Sequence, residues 1–487
     1  MALTALWYPV QRISQYADIN YNEGWNTYRA DMAARGDPLY GLPPRFTATN
    51  YPPLSFHLVG FLGRFLGYTV AGRWIALASF AFLAIAVAAL VRQFTGRWRL
   101  GVYAGLLFAV GLAVFLPDRI AMNDPQLLGL AGSFAGLCLY ARDPRSNGLL
   151  CASAVVFSLS LFTKHNLLAF PSAVGLHLLF QRAWKHFAVW LGALAAISAG
   201  LLWLTFRWDG PYFFSHLLAP RSYSLLSVGG RTVSYLVEFQ ILFAVAAFWS
   251  VRYATPPVRN LLAIAFVLAN IFGIAFAGGY GVVENVLFDA VVMVVVIGAI
   301  GLGDLETKVV SLRFGNVLLL LALITPCIGI LALLPGKLVD GRNISQGQPN
   351  VDAAFRRAVE FLQSRPGPAL CEDLLLCYDA GKPLLYDAFY ANSQVKVGRL
   401  SEGDVLDYVQ SSRFPTVEIT IPAEEPLVPM ATFRFSEPIM RAILERYRPV
   451  VRSSEFALLV PNQSSASLRI VESLQSRSRP VRFQSAP

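Results

Sequence analysis

Charged side chains are rare in this chain, and several stand in short polar segments between long apolar runs. The segment "DINYNEGW" contains Asp18 and Glu23, and the segment "AMNDPQ" contains Asp124. Carboxylates of this kind can act as a general base or bind a divalent metal ion. A structural role is also open. Asp18 and Glu23 can lie on a solvated loop, and Asp124 before a proline is typical of a helix N-cap.

Basic side chains form a second group. The segment "TKHN" places Lys164 and His165 between two apolar runs, and the long polar segment after residue 206 contains His216 and Arg221. Arginine can bind a phosphate through two hydrogen bonds, and lysine can bind it as a point charge. Structural alternatives stay open for both segments. Lys164 can simply extend toward the membrane surface, and the segment with His216 and Arg221 can lie flat on the membrane.

A glycine-rich segment, "AGGYGVVENVLFDA", contains Glu284, Asn285 and Asp289 at the start of an apolar run. Acidic residues at such positions usually face a cavity and carry function. The glycines can also simply form a turn, so both interpretations stay open.

The composition indicates a polytopic membrane protein. Of 487 residues, 55% are hydrophobic and 14% are charged, against about 25% charged residues in soluble proteins. The net charge of +10 comes from residues 1–339, because residues 340–487 carry equal numbers of acidic and basic side chains. In the transmembrane part of a protein, an excess of Lys and Arg is typical of cytoplasmic loops and does not indicate nucleic-acid binding. No nucleotide-binding motif is present, so no nucleotide cofactor is expected.

Apolar runs predict about 11 transmembrane helices. One is a short N-terminal segment, "MALTALWYPV". The other ten lie at about 71–91, 100–116, 125–141, 148–163, 166–181, 186–206, 233–251, 260–277, 283–303 and 315–335. A span needs about 20 residues.

Five loops rich in Arg and Lys predict the orientation. They read "RQFTGRWR", "RDPRSN", "QRAWKH", "RYATPPVRN" and "DLETKVVSLR". By the positive-inside rule these loops are cytoplasmic. The remaining loops, with the candidate site residues, and the segment from residue 340 are then extracytoplasmic.

The chain divides into two predicted domains. Residues 1–339 form the transmembrane domain, whose first outer loop, about 14–70, contains two interfacial helices. Residues 340–487 alternate helical and strand patterns, including a strand at "GKPLLYD", and predict an extracytoplasmic α/β domain with a loose C-terminal end. Cys371 and Cys377 lie in this domain, where a disulfide can form, although two unpaired core cysteines are also consistent with the sequence.

Taken together, the acidic first loop, the "GDPLY" to "NYPPL" stretch, the "NDP" motif, "TKHN" and the glycine-rich turn resemble the bacterial GT-C glycosyltransferases. This family includes the protein O-mannosyltransferases and the lipid A aminoarabinose transferase. The resemblance covers residues 14–335 and, more loosely, the tail. It implies a GT-C fold, an extracytoplasmic active site and a sugar donor linked to polyprenyl phosphate, and in many members a divalent metal such as Mg or Mn.

The resemblance also implies roles for individual residues. Glu23 matches the second acid of the family's Asp-Glu pair and Asn22 stands in the place of the first, so Glu23 or Asp18 is expected to be the base. Asp124 matches the second-loop acid and can share a metal with Glu23. Lys164, His165 and Arg221 are expected at the donor phosphate. The expected substrate cavity also includes Tyr21, Asn22, His216, Glu284 and Asn285.

The sequence therefore predicts an inner-membrane enzyme, surrounded by membrane lipids, that transfers a sugar from a polyprenyl-phosphate donor to a lipid, polysaccharide or protein acceptor. The alternative is a transporter or flippase that moves a lipid-linked sugar without chemistry. Transporters usually show repeated halves. The absence of a visible repeat and the grouping of polar residues on one side favour the enzyme.

Overall fold

The computed structural model describes residues 2–252, 257–309, 315–411, 414–421, 425–432, 434–453 and 455–462. Among these residues, fourteen α-helices precede the first strand. They are α1 Ala2–Gln11, α2 Asn22–Arg35, α3 Leu54–Leu66, α4 Tyr68–Thr95, α5 Trp98–Phe115, α6 Gln126–Arg142, α7 Asn147–Leu161, α8 Ala169–Phe180, α9 Trp184–Leu204, α10 Phe213–Leu217, α11 Leu225–Arg252, α12 Pro257–Phe276, α13 Phe288–Val309 and α14 Gly315–Gln363.

Every predicted apolar run is helical over its described residues, and several of these helices are long enough to cross a membrane. Four described helices have the length and composition to span: Tyr68–Thr95, Trp98–Phe115, Trp184–Asp209 and Glu284–Glu306. The bent pair within α11, whose halves meet at 85°, would make a fifth. The described residues therefore support a membrane protein with several spans, and the number of 11 stays a prediction.

Helix α13 forms the centre of the helical bundle. All of its residues from 291 to 300 are buried, and they are nearly all aliphatic. A helix that is apolar on every side must be covered on every side. Neighbouring helices α4, α5, α11 and α12 pack around it.

The first loop contains the two predicted helices, α2 and α3. Helix α2 ends at Arg35 because Gly36 follows with a φ of 78°, a left-handed conformation that favours glycine. Helix α3 begins directly after the proline pair Pro52–Pro53 and has an apolar face. These helices bring the start of the first loop to one end of the bundle.

The C-terminal part is a small α/β unit at the end of the long helix α14, which runs without a break through residue 340. The sheet has the order β1-β2-β4-β3, with β1 parallel to β2 and the other pairs antiparallel. Its strands and helices are β1 Ala369–Cys371, α15 Leu374–Asp379, α16 Ala388–Lys396, α17 Glu402–Ser411, β2 Thr416–Ile419, α18 Glu437–Arg446, β3 Tyr447–Arg452 and β4 Ala457–Pro461.

One element of the tail was predicted wrongly. The sequence "GKPLLYD" is not a strand, because Asp387 is the N-cap of helix α16 and accepts a hydrogen bond from the Tyr390 amide. Residues 382–387 form a connection without regular structure. The end from residue 463 onward, predicted to be loose, lies outside the described residues.

The tail packs directly on the first loop. A disulfide joins Cys371 and Cys377 and encloses the start of helix α15, as the sequence allowed. The backbone of Leu374 and Leu375 approaches Gly24 so closely that no side chain could be present there. Tyr28 donates a hydrogen bond from its hydroxyl to the Lys382 carbonyl at 2.7 Å. The start of the first loop is therefore held between the helical bundle and the tail.

Candidate active site

A cavity of about 320 Å³, named the Lys164 cavity here, lies where five separate segments of the chain meet. Its lining contains both polar and apolar residues. The polar residues are Asn22, Asn50, Lys164, His165, Asn166, Arg221 and Asn285. The apolar residues, called the apolar wall below, include Leu217, Ala275, Phe276, Val282, Val283 and Val286. Five of the predicted site residues, namely Asn22, Lys164, His165, Arg221 and Asn285, are therefore brought together.

Lys164 is a buried cation that lines this cavity. Its ammonium lies 3.4 Å from Asp124 Oδ1 and 3.6 Å from the ring centre of Tyr51. The loop that carries it packs tightly against helix α6 because Gly129 has no side chain. A Cβ at Gly129 would lie 2.6 Å from Leu167 Cδ1. The carboxylate and the aromatic ring hold the charge of Lys164 in place beside the cavity.

His165 is neutral in this surrounding. Burial, together with the positive charges of Lys164 and Arg221, lowers the pKa of its imidazole to about 4. Its Nδ1 atom is buried and has no hydrogen-bond partner in the part of the chain that the structure describes, and the same holds for Asn166 Oδ1. Unpartnered buried polar atoms are rare in proteins. Two of them on one cavity wall indicate positions where a ligand's polar groups can bind.

Glu23 is held in a buried ion pair. Arg73 donates from Nε to Glu23 Oε1 at 3.0 Å and from Nη2 to Oε2 at 2.6 Å. The amides of Asn123 and Ile19 donate to the same two oxygens at 2.8 and 2.7 Å. Neither charged side chain is exposed. Both oxygens are occupied and Glu23 does not line the cavity, so this geometry favours a positioning role, and its predicted role as base stays untested.

Asp124 contacts Lys164 and also accepts a hydrogen bond from the Gln126 amide through Oδ1 at 2.8 Å, as an N-cap does. Its Oδ2 is buried and has no partner among the described residues. The metal predicted between Asp124 and Glu23 does not fit this arrangement, because the oxygens of Glu23 already accept four hydrogen bonds. Within the described ranges, no three His, Cys, Asp or Glu residues are grouped as metal ligands.

The other predicted site residues lie elsewhere. Tyr21 packs on Phe389 of the tail and is covered by the Arg434 guanidinium. Asp18 also faces the tail, where burial and the charge of Asp373 raise its pKa. Glu284 is 42% exposed and lies 3.7 Å from Arg119.

His216 has a structural role in the loop between α2 and α3. Its Nδ1 accepts a hydrogen bond from the Thr49 amide at 2.9 Å, and its Nε2 contacts the Leu42 carbonyl at 2.7 Å. Burial lowers the pKa of His216 to about 4, so the ring is neutral. It fixes this loop and lines a different cavity from Lys164.

Sequence reasoning missed Arg73, Asn50, Tyr51 and Asn166. A signal for Arg73 was present, because it is a charged residue inside the apolar run "TVAGRWIAL" and such residues are normally paired. Asn50 and Tyr51 begin the "NYPPL" stretch and Asn166 ends "TKHN", two motifs that carried the resemblance, but the sequence analysis gave these three residues no role. They reach the cavity through irregular loops.

Comparison with solved structures defines the class of fold. The chain is similar to the crystal structure of ArnT from Cupriavidus metallidurans bound to undecaprenyl phosphate, with a TM-score of 0.61, 13% identity, and coverage of 94% of this chain and 97% of that one. The apo state of the same protein gives a TM-score of 0.61 and 13% identity, with 93% and 96% coverage.

A third similar structure is the Archaeoglobus fulgidus oligosaccharyltransferase in complex with Zn and sulfate. Its TM-score is 0.50 at 11% identity, over 86% of this chain and 67% of that one. These proteins have the GT-C fold, and the present chain therefore has the GT-C fold, as the sequence predicted. No family model and no curated protein matches the sequence.

Proposed function

We propose that the protein is a membrane glycosyltransferase that moves a sugar from a polyprenyl-phosphate donor to a cell-envelope acceptor. The observation that carries this proposal is the Lys164 cavity, which combines two cations, unpartnered polar atoms and an apolar wall within a GT-C fold. ArnT, a protein of similar fold, has been crystallised with undecaprenyl phosphate. A lipid of that kind needs a phosphate site next to an apolar groove.

In this proposal, Lys164 and Arg221 bind the phosphate of the donor. Positive charge placed at the leaving phosphate stabilises the transition state of transfer, where negative charge develops. Asp124 is a positioning residue that orients the Lys164 ammonium. The isoprenoid chain leaves the cavity along the apolar wall that includes Phe276, Val282 and Val286.

The remaining polar groups suit the sugar and the acceptor. Asn22, Asn166 and Asn285 carry amides that can bond sugar hydroxyl groups. His165 is neutral, and its free Nδ1 can accept the proton of an acceptor hydroxyl. Bond formation at the anomeric carbon and cleavage of its bond to the phosphate oxygen then release polyprenyl phosphate. Glu23 and Arg73 act at a distance, by holding the start of α2 beside the cavity.

We place the site and the tail on the extracytoplasmic face of the inner membrane. Two observations support this orientation. The arginine-rich loops predict the opposite face as cytoplasmic, and the Cys371–Cys377 disulfide is typical of an oxidising compartment.

A transporter that binds the same lipid is the competing function, and product analysis separates the two. The purified protein is mixed with polyprenyl-phosphate sugars extracted from its own host and with an envelope fraction as acceptor. A transferase produces free polyprenyl phosphate and a heavier acceptor by mass spectrometry. If the donor stays intact while it crosses a vesicle membrane, the enzyme proposal is wrong.

A further inference from the structure

A second and larger cavity, of about 1250 Å³, lies between the first loop and the tail. We name it the Arg29 cavity. The second half of α2, the loop of residues 37–47 and the tail segment of residues 378–385 line it. None of the residues to which the sequence analysis gave a catalytic or phosphate-binding role is among them.

Arg29 is a buried cation with no carboxylate of the described residues within ion-pair distance. The residue is 6% exposed, and its only hydrogen bond in the described part of the chain runs from Nη1 to the Met32 sulfur at 3.2 Å. Its Nε is buried and unpartnered among the described residues. Burial lowers the pKa of Arg29 to about 10 although the more distant charge of Asp387 acts to raise it, so the guanidinium is charged at neutral pH.

Three other cations line this cavity: Arg35, Arg45 and Lys382. Arg35 pairs with Asp31 at 3.3 Å and with Asp37 at 3.0 Å. Lys382 donates from Nζ to the Gly367 carbonyl at 3.0 Å. Arg45 is exposed, and its guanidinium lies 5.0 Å from the centre of the Phe46 ring. A buried charge without a partner is destabilising, whereas Arg35 and Arg45 are exposed to solvent. Arg29 is therefore the group whose position calls for an anionic ligand.

We propose that the Arg29 cavity binds an anionic saccharide, with Arg29 holding its phosphate or carboxylate group. The planar guanidinium can donate two parallel hydrogen bonds to either anion. Tyr28 and Tyr378, whose rings meet edge to face with centres 5.0 Å apart, line the same cavity and offer apolar surface to a sugar ring. A volume of about 1250 Å³ leaves room for more than one sugar unit.

The position of this cavity indicates that the saccharide is the acceptor, an assignment that rests on the proposed glycosyl transfer. A thin wall separates the two cavities. The consecutive residues His216 and Leu217 line the Arg29 cavity and the Lys164 cavity, respectively. Likewise, Thr47 lines the first and Asn50 lines the second. An acceptor anchored at Arg29 therefore lies next to the donor.

Binding of small anionic sugars to the purified full-length protein tests the proposal. Titration calorimetry is carried out with glucose 1-phosphate and with galacturonate, and with glucose as the neutral control. We expect saturable binding of at least one anionic sugar, at least tenfold tighter than glucose. The tighter of the two identifies the anion as phosphate or carboxylate. Absence of saturable binding by both would overturn the proposal.

Variants locate the bound anion. Arg29→Gln should weaken binding of that sugar at least tenfold, whereas Arg35→Gln, a matched change on the same helix, should weaken it less than threefold. If Arg29→Gln does not fold, Arg29→Lys is used instead. It keeps the positive charge but lacks the planar guanidinium, and it should still weaken binding of the sugar at least threefold. Unchanged affinity in the folded Arg29 variant contradicts the proposal.

Lys164→Ala separates this proposal from the function proposed above. It should weaken binding of undecaprenyl phosphate at least tenfold and leave the affinity for the anionic sugar within threefold. If undecaprenyl phosphate does not bind to the wild type but the sugar does, only the transferase proposal fails. If Lys164→Ala abolishes sugar binding, the sugar occupies the Lys164 cavity and the proposal for Arg29 is wrong.

Discussion

Glu23 and Arg73 form a bidentate ion pair in which neither side chain is exposed to solvent. The Arg73 guanidinium also donates to the carbonyls of Gln15 and Ala17, at 2.6 and 3.0 Å. This one arginine therefore fixes the chain before α2, and the carboxylate of Glu23 balances its charge. The pair joins helix α4 to the loop that leads to Asn22 and the Lys164 cavity.

Glu23→Gln should destabilise the protein, because it leaves the Arg73 charge buried without its partner. Removal of one member of a buried pair typically costs about 3–5 kcal/mol. The expected result is a large decrease of Tm in detergent, measured by intrinsic fluorescence. The double variant Glu23→Gln/Arg73→Met should recover a substantial part of the loss. A catalytic base at Glu23 would instead give normal Tm with no transfer, and that result would contradict the positioning role.

Lys164→Ala should weaken binding of undecaprenyl phosphate at least tenfold, because it removes one of two cations beside the phosphate. Asp124→Asn should have a smaller effect on binding, since asparagine retains the N-cap hydrogen bond and loses only the contact that orients Lys164. Binding is measured by native mass spectrometry of the purified protein. Arg64→Gln on the exposed face of α3 is the control and should bind as the wild type does. Equal binding by all three variants would exclude Lys164 from the phosphate site.

The disulfide between Cys371 and Cys377 should resist thiol labelling. In the unfolded but unreduced protein, Cys138, Cys151 and Cys327 should react and the two tail cysteines should not. Replacement of both tail cysteines by alanine should cost about 2 kcal/mol of stability, as expected for a short closed loop. Two reactive thiols in the tail of the unreduced protein would exclude the bond.

Stability should fall as the pH rises through neutrality, because a carboxyl cluster is buried between the first loop and the tail. Burial raises the pKa of Glu418, and the charge of Glu372 raises it further; burial and the charge of Glu418 likewise raise the pKa of Asp373. Asp18 faces the same cluster, and Arg434 is the cation beside it.

The direction of this pH effect follows from the raised pKa values. The folded protein holds these protons more tightly than the unfolded chain, whose carboxyl pKa values are about 4. The stabilisation is complete below that pH and is lost as the pH rises through the raised pKa. The Tm should therefore be lower at about pH 8.5 than at about pH 6, and Glu418→Gln should flatten this decrease. The control Glu437→Gln, at an exposed ion pair, should leave the dependence of Tm on pH unchanged. If the wild type, Glu418→Gln and Glu437→Gln all show the same dependence, the carboxyl cluster is not its source.

Much of the fold could be predicted from the sequence because its signals are local. The apolar runs, the two helices of the first loop and the alternating pattern of the tail each depend on neighbouring residues. The connection at 382–387 was mistaken for a strand because an apolar pair, Leu384–Leu385, resembles a strand core. The N-cap bond of Asp387 that prevents it is visible only in the structure.

The candidate site was predictable in part. Lys164, His165 and Arg221 carry a chemical signal of their own, and they do meet in one cavity. The acids Glu23 and Asp124 carry the same kind of signal, but their charges are used by Arg73 and Lys164. Which cation pairs with which acid depends on contacts between residues 40 to 50 positions apart, and no local pattern contains that information.

A structure determined by cryo-electron microscopy with undecaprenyl phosphate would show whether the Lys164 cavity binds the donor. Density for the phosphate is expected inside this cavity, within hydrogen-bond distance of Lys164 and Arg221, with the isoprenoid along the apolar wall near Phe276 and Val286. Phosphate density outside this cavity, or a Lys164 cavity that stays empty at saturating lipid, would contradict it.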